Sequence, residues 1–255
     1  MIVSLPMYDW PALAPSHDTL WSLIRSNLGA LTDCAPAKLN RNIEPWDAWT
    51  HPDLLLGQSC GLPFRTGLHG KVRLVGTIDY AVPEAPAGYY YSELVVRTDD
   101  DRKLEDLVDS ALAINGWDSQ SGWAAPQNFV APSGLRFRNI LKTGAHRESA
   151  RAVAEGRADI AAIDAVTWRL ICRFLPEISE RLHVLTHTDP TPALPLITAR
   201  SNDPDLLFDA VASAITQLPA DDRAALGICG LKKISEEDYL AVPVPILPSR
   251  DMPPN

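Results

Sequence analysis

Strand-like and helix-like segments alternate along this chain in two successive runs, and that rhythm constrains the fold more than any other feature. In the first run, Ile2-Val3-Ser4-Leu5, Asp53-Leu54-Leu55-Leu56 (ending at Gly57) and Val72 to Thr77 read as strands. Ser16 stands where it can cap a helix running to Gly29, with Leu20, Ile24, Leu28 and Leu31 on one face. The second run begins at Glu93 to Arg97 and continues with strands at Ala111 to Asn115, Arg138 to Lys142 and Ala158 to Ile163. Helical patterns lie at Leu104 to Asp109, from Thr143-Gly144 to near Gly156, and through Val166, Leu170 and Phe174. Such alternation predicts an α/β fold with mostly parallel sheets covered by helices.

The two runs predict two lobes. His183 to Leu185 and Leu194 to Thr198 are extended, separated by the Pro-rich Thr188 to Pro192. Pro204 opens a helix with Leu207, Val211, Ala214, Ile215 and Leu218 inward, and short helices near Asp221 and Ser235 follow. No strand cluster accompanies these helices, so they are expected to return to the first lobe. The expected division is 1–92 plus 194–255 for lobe I and 93–193 for lobe II, with hinge segments near 92–97 and 186–196. The tail from Pro243 to Pro254 reads as extended rather than packed.

Charge narrows the partners. The net charge of −9 offers no broad basic face, which argues against nucleic acid and anionic lipid. A small anion remains open, because backbone dipoles hold one whatever the global charge. No stretch approaches the roughly 20 apolar residues of a membrane span, so no direct membrane insertion is expected. Met1 to Trp10 has no basic and no apolar signal region, so the expected location is periplasmic or membrane-associated if a signal was removed, and cytoplasmic otherwise. Cys34, Cys60, Cys172 and Cys229 stand singly, without a C-x-x-C, so neither a metal nor any other cofactor is expected and their disulfide status stays open.

Three strand-to-helix junctions carry the chemistry. Asn115-Gly116-Trp117-Asp118-Ser119-Gln120-Ser121-Gly122-Trp123 combines small hydroxyl residues and glycine at a helix start, where free N–H groups and hydroxyls face an anion; an ordinary capped turn is the alternative. In Thr143-Gly144-Ala145-His146-Arg147-Glu148-Ser149, His146 is placed to donate to a phosphate-like oxygen, or is simply a surface histidine. Asp164 closes the strand of Gly156-Arg157-Ala158-Asp159-Ile160-Ala161-Ala162-Ile163-Asp164, where it holds a ligand amine or caps the next helix through Thr167. Successive strand ends of one sheet converge on one crevice, so the three are expected to act together. Tyr8 and Tyr80, each following a first-run strand, supply phenolic donors and an apolar wall.

Two enzymatic patterns compete. Gly57-Gln58-Ser59-Cys60-Gly61 matches the G-x-S-x-G elbow of α/β-hydrolases, with Ser59 as nucleophile. That fold places its histidine last, whereas here the last histidine is His187 and no HGGG-type loop is present. A Ser121, His146, Asp164 triad reads as a coincidence of residue types without spacing logic. No catalytic residue is assigned.

The strand followed by the Ser119–Gly122 turn, then TGAHRESARAVAEGRADIAAIDAVTW, a Pro-rich return and a final GL-x4-EEDY, resembles the phosphate/phosphonate substrate-binding proteins of ABC transporters. LPMYDW, LLLGQSCGLPF and GYYYSELVVR are similar to that family too, and the likeness runs along essentially the whole chain. The resemblance implies a type II periplasmic-binding-protein fold and non-catalytic capture of a small phosphate- or phosphonate-like anion between the lobes, with an ABC permease as partner. It implies that Ser119, Ser121 and Gly122 form the anion turn, that His146 follows at the next helix start, that Asp164 faces the ligand's distal group and that Tyr8 covers it from the first lobe. Two departures stand out: this turn carries fewer Ser and Thr than phosphonate members do, and Met1 to Trp10 does not read as a signal segment. The same fold also hosts sensing domains and enzymes of cofactor biosynthesis.

Overall fold

A computed structural model describes residues 1–247. The part of the Pro243–Pro254 tail beyond Leu247 lies outside the described residues. In chain order the strands are β1 (Ile2–Ser4), β2 (Leu54–Gln58), β3 (Val72–Asp79), β4 (Tyr89–Tyr90), β5 (Ser92–Arg97), β6 (Leu112–Ile114), β7 (Ile140–Lys142), β8 (Ile160–Asp164), β9 (Leu182–His187), β10 (Thr191–Pro192), β11 (Pro195–Ala199) and β12 (Gly230–Lys232). The chain divides into two compact units. The first holds residues 1–89 and 192–241, and the second holds 90–191 together with the segment from Val242. That last segment groups with the second unit, not with the first as the sequence suggested. Asn128 and Arg136 there donate to the carbonyls of Pro243 and Ile246, at 2.9 and 2.8 Å.

The first unit is built on the sheet β1-β2-β11-β3-β12. Its core gathers Trp49, Leu54, Phe64, Leu68, Val72, Ile197, Ala199 and Tyr239. The helix Ala14–Ser26 buries Leu20, Trp21 and Ile24. It starts before Ser16, at Ala14, because Pro15 suits the first helical turn. Ser16 is therefore inside the helix, and its hydroxyl donates to Asp222 at 2.6 Å instead of capping. The helix Pro204–Gln217 is capped by the Asp203 carboxylate, which accepts from the Asp205 N–H at 3.0 Å. It buries Leu207, Val211 and Ile215, each worth roughly 1.5–3 kcal/mol when wholly withdrawn from water. The helix Glu236–Leu240 opens with a capping box between Ser235 and Asp238.

The second unit is built on β7-β6-β8-β5-β9. All five residues of β8 are buried, and the small Ala161 and Ala162 leave room for the flanking helices His146–Ala154 and Ala165–Phe174. Asp100 and Asp159 clasp the Arg102 guanidinium at 2.6 and 2.8 Å, which holds the Asp100 carboxyl down to about 2.

The sheets are mixed, not mostly parallel as the alternation suggested. β1 pairs with β2, and β6 with β7 and β8, in parallel. β11 runs antiparallel to β2 and β3, and β5 antiparallel to β8 and β9. The reason is topological. β5 and β11 enter their sheets directly after the chain passes from one unit to the other, so no right-handed helical crossover forces them parallel. At those passages β4 and β10 form a two-stranded sheet that the sequence did not reveal. Among the described residues no helix is long and apolar enough to cross a membrane.

Candidate functional site

The turn after β6 is shaped by hydroxyls. Ser119 caps the helix that follows, its Oγ accepting from the Gly122 N–H at 2.9 Å. The first turn, Gln120–Ala124, is wide: the Trp123 and Ala124 N–H groups both reach the Ser119 carbonyl, at 3.2 and 3.0 Å. Such single π-turns recur at functional sites, and the opening amides of any helix lack intrahelical acceptors. Ser119, Gln120 and Ser121 are buried, with the two serine hydroxyls 3.5 Å apart. Trp123 anchors the turn edge-on against Trp117, ring centres 4.8 Å apart. A Cβ at position 122 would lie 1.9 Å from Asn115 Oδ1, so glycine there lets the Asn115 side chain pack against the turn. Asn115 is a site-shaping residue that the sequence pattern did not single out.

His146 begins the helix after β7. Gly144, at φ +92°, takes a left-handed conformation that glycine tolerates, and its N–H donates to the Asn115 carbonyl at 3.1 Å. This bond and the Thr143 N–H to Ile114 carbonyl bond (2.8 Å) tie the two junctions together. The Thr143 hydroxyl works within its own turn, 3.0 Å from the Ile114 carbonyl and 2.7 Å from Ser149 Oγ. The junction delivers His146 Nε2 to 2.8 Å from Ser121 Oγ. Burial pushes the imidazole below the usual histidine range; Asp164 and the Ala162 carbonyl oppose that shift without cancelling it. The ring is therefore neutral near pH 7, and Nδ1 has no hydrogen-bond partner of ordinary geometry among the described residues.

Asp164 works as a helix cap. Its Oδ1 accepts from the Val166 and Thr167 N–H groups, both at 2.9 Å, and its Oδ2 from the Thr167 hydroxyl at 2.6 Å. Of the two roles left open by the sequence, capping is the one whose contacts are formed. Oδ2 also lies 3.9 Å from His146 Nε2.

Ser121, His146 and Asp164 thus meet in space, although no sequence spacing links them. Successive strands deliver all three to one end of the second unit's sheet. The arrangement is still not a nucleophilic relay. A relay needs the acid on the ring nitrogen opposite the hydroxyl, to fix the tautomer and steady the imidazolium. Here hydroxyl and carboxylate both address Nε2.

In the first unit Tyr8 and Tyr80 are buried and pack edge-on, ring centres 5.0 Å apart at 85°. The Gln58 amide donates to the Tyr80 hydroxyl at 3.4 Å, and His17 Nε2 lies 3.1 Å from the Tyr8 carbonyl. Gln58 escaped the sequence reading because it sits inside the G-x-S-x-G pattern, which directed attention to Ser59. Ser59 is wholly buried, with its hydroxyl 3.4 Å from the Cys60 carbonyl, and among the described residues no histidine bonds to it. The hydrolase alternative therefore lacks its base. No set of three His, Cys, Asp or Glu side chains among the described residues is placed to hold a metal ion.

Two mixed α/β units joined by two passages of the chain, with a serine-lined turn and a neutral histidine at one strand end of the second, are those of a type II periplasmic binding protein. The family model described as "ABC transporter, phosphonate, periplasmic substrate-binding protein" matches residues 76–239, and the chain belongs to that family. Among solved structures it is similar to PhnD1 of Prochlorococcus marinus in complex with methylphosphonate, at TM-score 0.68 and 16% identity over 93% of this chain and 94% of that one. A binding protein component of an ABC phosphonate transporter from Pseudomonas aeruginosa gives 0.69 and 16% over 94% and 82%. A Xanthomonas citri protein bound to chloride ion gives 0.67 and 14% over 93% and 92%. At these identities the likeness shows the fold. No curated protein sequence matches the chain.

Proposed function

We propose that this protein captures a small phosphonate- or phosphate-like anion without breaking a bond and presents it to an ABC permease in the periplasm. The observation that carries this reading is the 2.8 Å bond between Ser121 and a buried, neutral His146 at the mouth of the wide turn. Hydroxyls and first-turn amides donate to the anion's oxygens. Ser119, Gln120, Ser121 and Gly122 form the proposed cradle, with Thr143 and His146 on the adjoining junction. Asp164 orients His146 from its capping position, and Tyr8 and Tyr80 are the ligand-binding residues we propose on the first unit. A few charge-assisted hydrogen bonds, at roughly 1.5–3 kcal/mol each, are enough for micromolar affinity after ordering costs.

Titration calorimetry with methylphosphonate, phosphate, phosphite and sulfate tests the reading. At least one of the phosphorus oxyanions should bind, and Ser121→Ala combined with His146→Ala should weaken it at least tenfold while leaving the folded structure intact. Equal affinity in the double variant would sink the assignment. Incubating the bound anion with the protein should return it unchanged by phosphorus NMR, since Ser121 and Asp164 address the same nitrogen of His146 and do not form a relay.

A further inference from the structure

The Ser121–Gly122 peptide is held at both ends by serine hydroxyls. Its N–H donates to Ser119 Oγ at 2.9 Å, which the local cap explains. Its carbonyl accepts from Ser92 Oγ at 2.9 Å, and Ser92 is 29 residues away, at the start of β5. Ser92 is 1% exposed, so no water competes for that bond.

Ser92 is itself fixed by Thr188. Its N–H donates to Thr188 Oγ1 at 3.0 Å, and its carbonyl accepts from the Thr188 N–H at 2.9 Å. Thr188 is also 1% exposed. The residues just before them repeat the pairing: Tyr91 stacks on His187, ring centres 4.3 Å apart at 24°. The Tyr91 carbonyl in turn accepts from the Ala165 N–H at 3.0 Å, next to Asp164. The two chain segments adjoining the passages between units therefore bond to each other, and Tyr91 and Ser92 of the first bond to two of the three candidate binding junctions.

We propose that Ser92 and Thr188 are positioning residues: they set the plane of the Ser121–Gly122 peptide and so aim the Ser121 hydroxyl and the neighbouring amides at the anion. The inference rests on the proposed function for its purpose, but not for its mechanics. A peptide clamped at one end pivots about the other, and a buried carbonyl stripped of its donor seeks another partner. The Ser92 bond ties the first residue of β5 to the anion turn, so the two are fixed relative to each other within the second unit.

The test compares the full-length wild type with Ser92→Ala, Thr188→Val and Thr188→Ser. Without ligand, hydrogen exchange of the amides in 119–124 should quicken about tenfold in Ser92→Ala and Thr188→Val, the loss of about one buried hydrogen bond, while the amides of β2 keep the wild-type rate. Thr188→Ser, which keeps the hydroxyl, should restore the slow rate. With methylphosphonate as probe, the dissociation constant should rise by a similar factor in the two loss variants and return in Thr188→Ser. Unchanged exchange in 119–124, or quickening spread evenly over both units, would overturn the proposal. If the wild type fails to bind methylphosphonate, the exchange arm still decides the clamp, and only the reading of the site as a phosphonate cradle is damaged.

Discussion

Ser121 Oγ lies 2.8 Å from His146 Nε2, joining two helix starts that are 25 residues apart. A neutral imidazole either donates to or accepts from that hydroxyl, and its choice decides whether the serine proton remains available to an anion. The bond thus couples protonation at one junction to donor capacity at the other.

That coupling has a pH signature. Burial lowers the folded-state pKa of both His146 and His17 below the ordinary histidine value of about 6.5. As pH falls through 6.5 the unfolded chain takes up protons that the folded one refuses, so stability is fully present above 6.5 and is lost below it. Thermal unfolding should shift to lower temperature between pH 7.5 and 5.5. His146→Gln, neutral at every pH, should show a smaller drop. Carboxylates do not mask the effect, since the low Asp100 pKa acts well below this window. An identical drop in His146→Gln would place the pH dependence elsewhere.

Gly122→Ala should be disruptive out of proportion to its single methyl. The added carbon would sit 1.9 Å from Asn115 Oδ1, far inside contact distance, so the turn or the Asn115 side chain must shift. Overpacking of this kind costs about 1–3 kcal/mol. Urea unfolding of Gly122→Ala, Asn115→Ala and the double variant forms a cycle: if the clash is the cause, Asn115→Ala should recover most of the loss in the Gly122→Ala background. Strict additivity would argue for another origin.

The junctions were legible in the sequence because each rests on short-range chemistry. Ser119 caps its own helix, His146 opens the next, and the Asp164–Thr167 cap spans three residues. What was not legible depends on distant partners. Ser92 looks like the first residue of an ordinary strand until Ser121 and Thr188 are brought to it, from 29 and 96 residues away. Strand direction failed for the same reason. Periodicity marks β5 and β11 as buried strands, but their antiparallel pairing follows from the path of the chain between units, which no local pattern encodes. The meeting of Ser121, His146 and Asp164 follows no spacing rule, because sheet order, not spacing, assembles it.

Asp164 should report its cap before its ligand. Asp164→Ala removes the acceptor of two N–H groups and of the Thr167 hydroxyl, and should destabilise the protein by roughly 0.5–2 kcal/mol in urea. Asp164→Asn keeps a carbonyl oxygen for the two N–H groups and should lose less. If Asp164 also shapes the anion site through His146, Asp164→Asn should alter the ranking of methylphosphonate against phosphate by calorimetry. The same ranking in both proteins would leave the cap as its only role.

The Tyr239 hydroxyl is the most exacting of the buried contacts in the first unit. It donates to the Ala193 carbonyl at 2.8 Å, so its other contact, Thr77 Oγ1 at 2.7 Å, must supply the proton there. Burial raises the phenol pKa far above its ordinary value, so it stays protonated at any working pH. Ala193 lies one residue past β10, and its N–H donates to the Gly88 carbonyl at 3.0 Å; the phenol therefore pins a residue already bonded to the other connecting segment. Tyr239→Phe keeps the ring that packs edge-on against Phe64, centres 5.3 Å apart, but leaves the Ala193 carbonyl without that donor. The expected loss is about 1–3 kcal/mol in urea with an unchanged slope, because the cost is an unpaired polar group and not a change in buried area. Thr77→Val should cost less than Tyr239→Phe, since it removes a bond to the phenol while the phenol still satisfies Ala193. The reverse order would show that the Thr77 hydroxyl, not the Ala193 carbonyl, is the partner that holds Tyr239 in place.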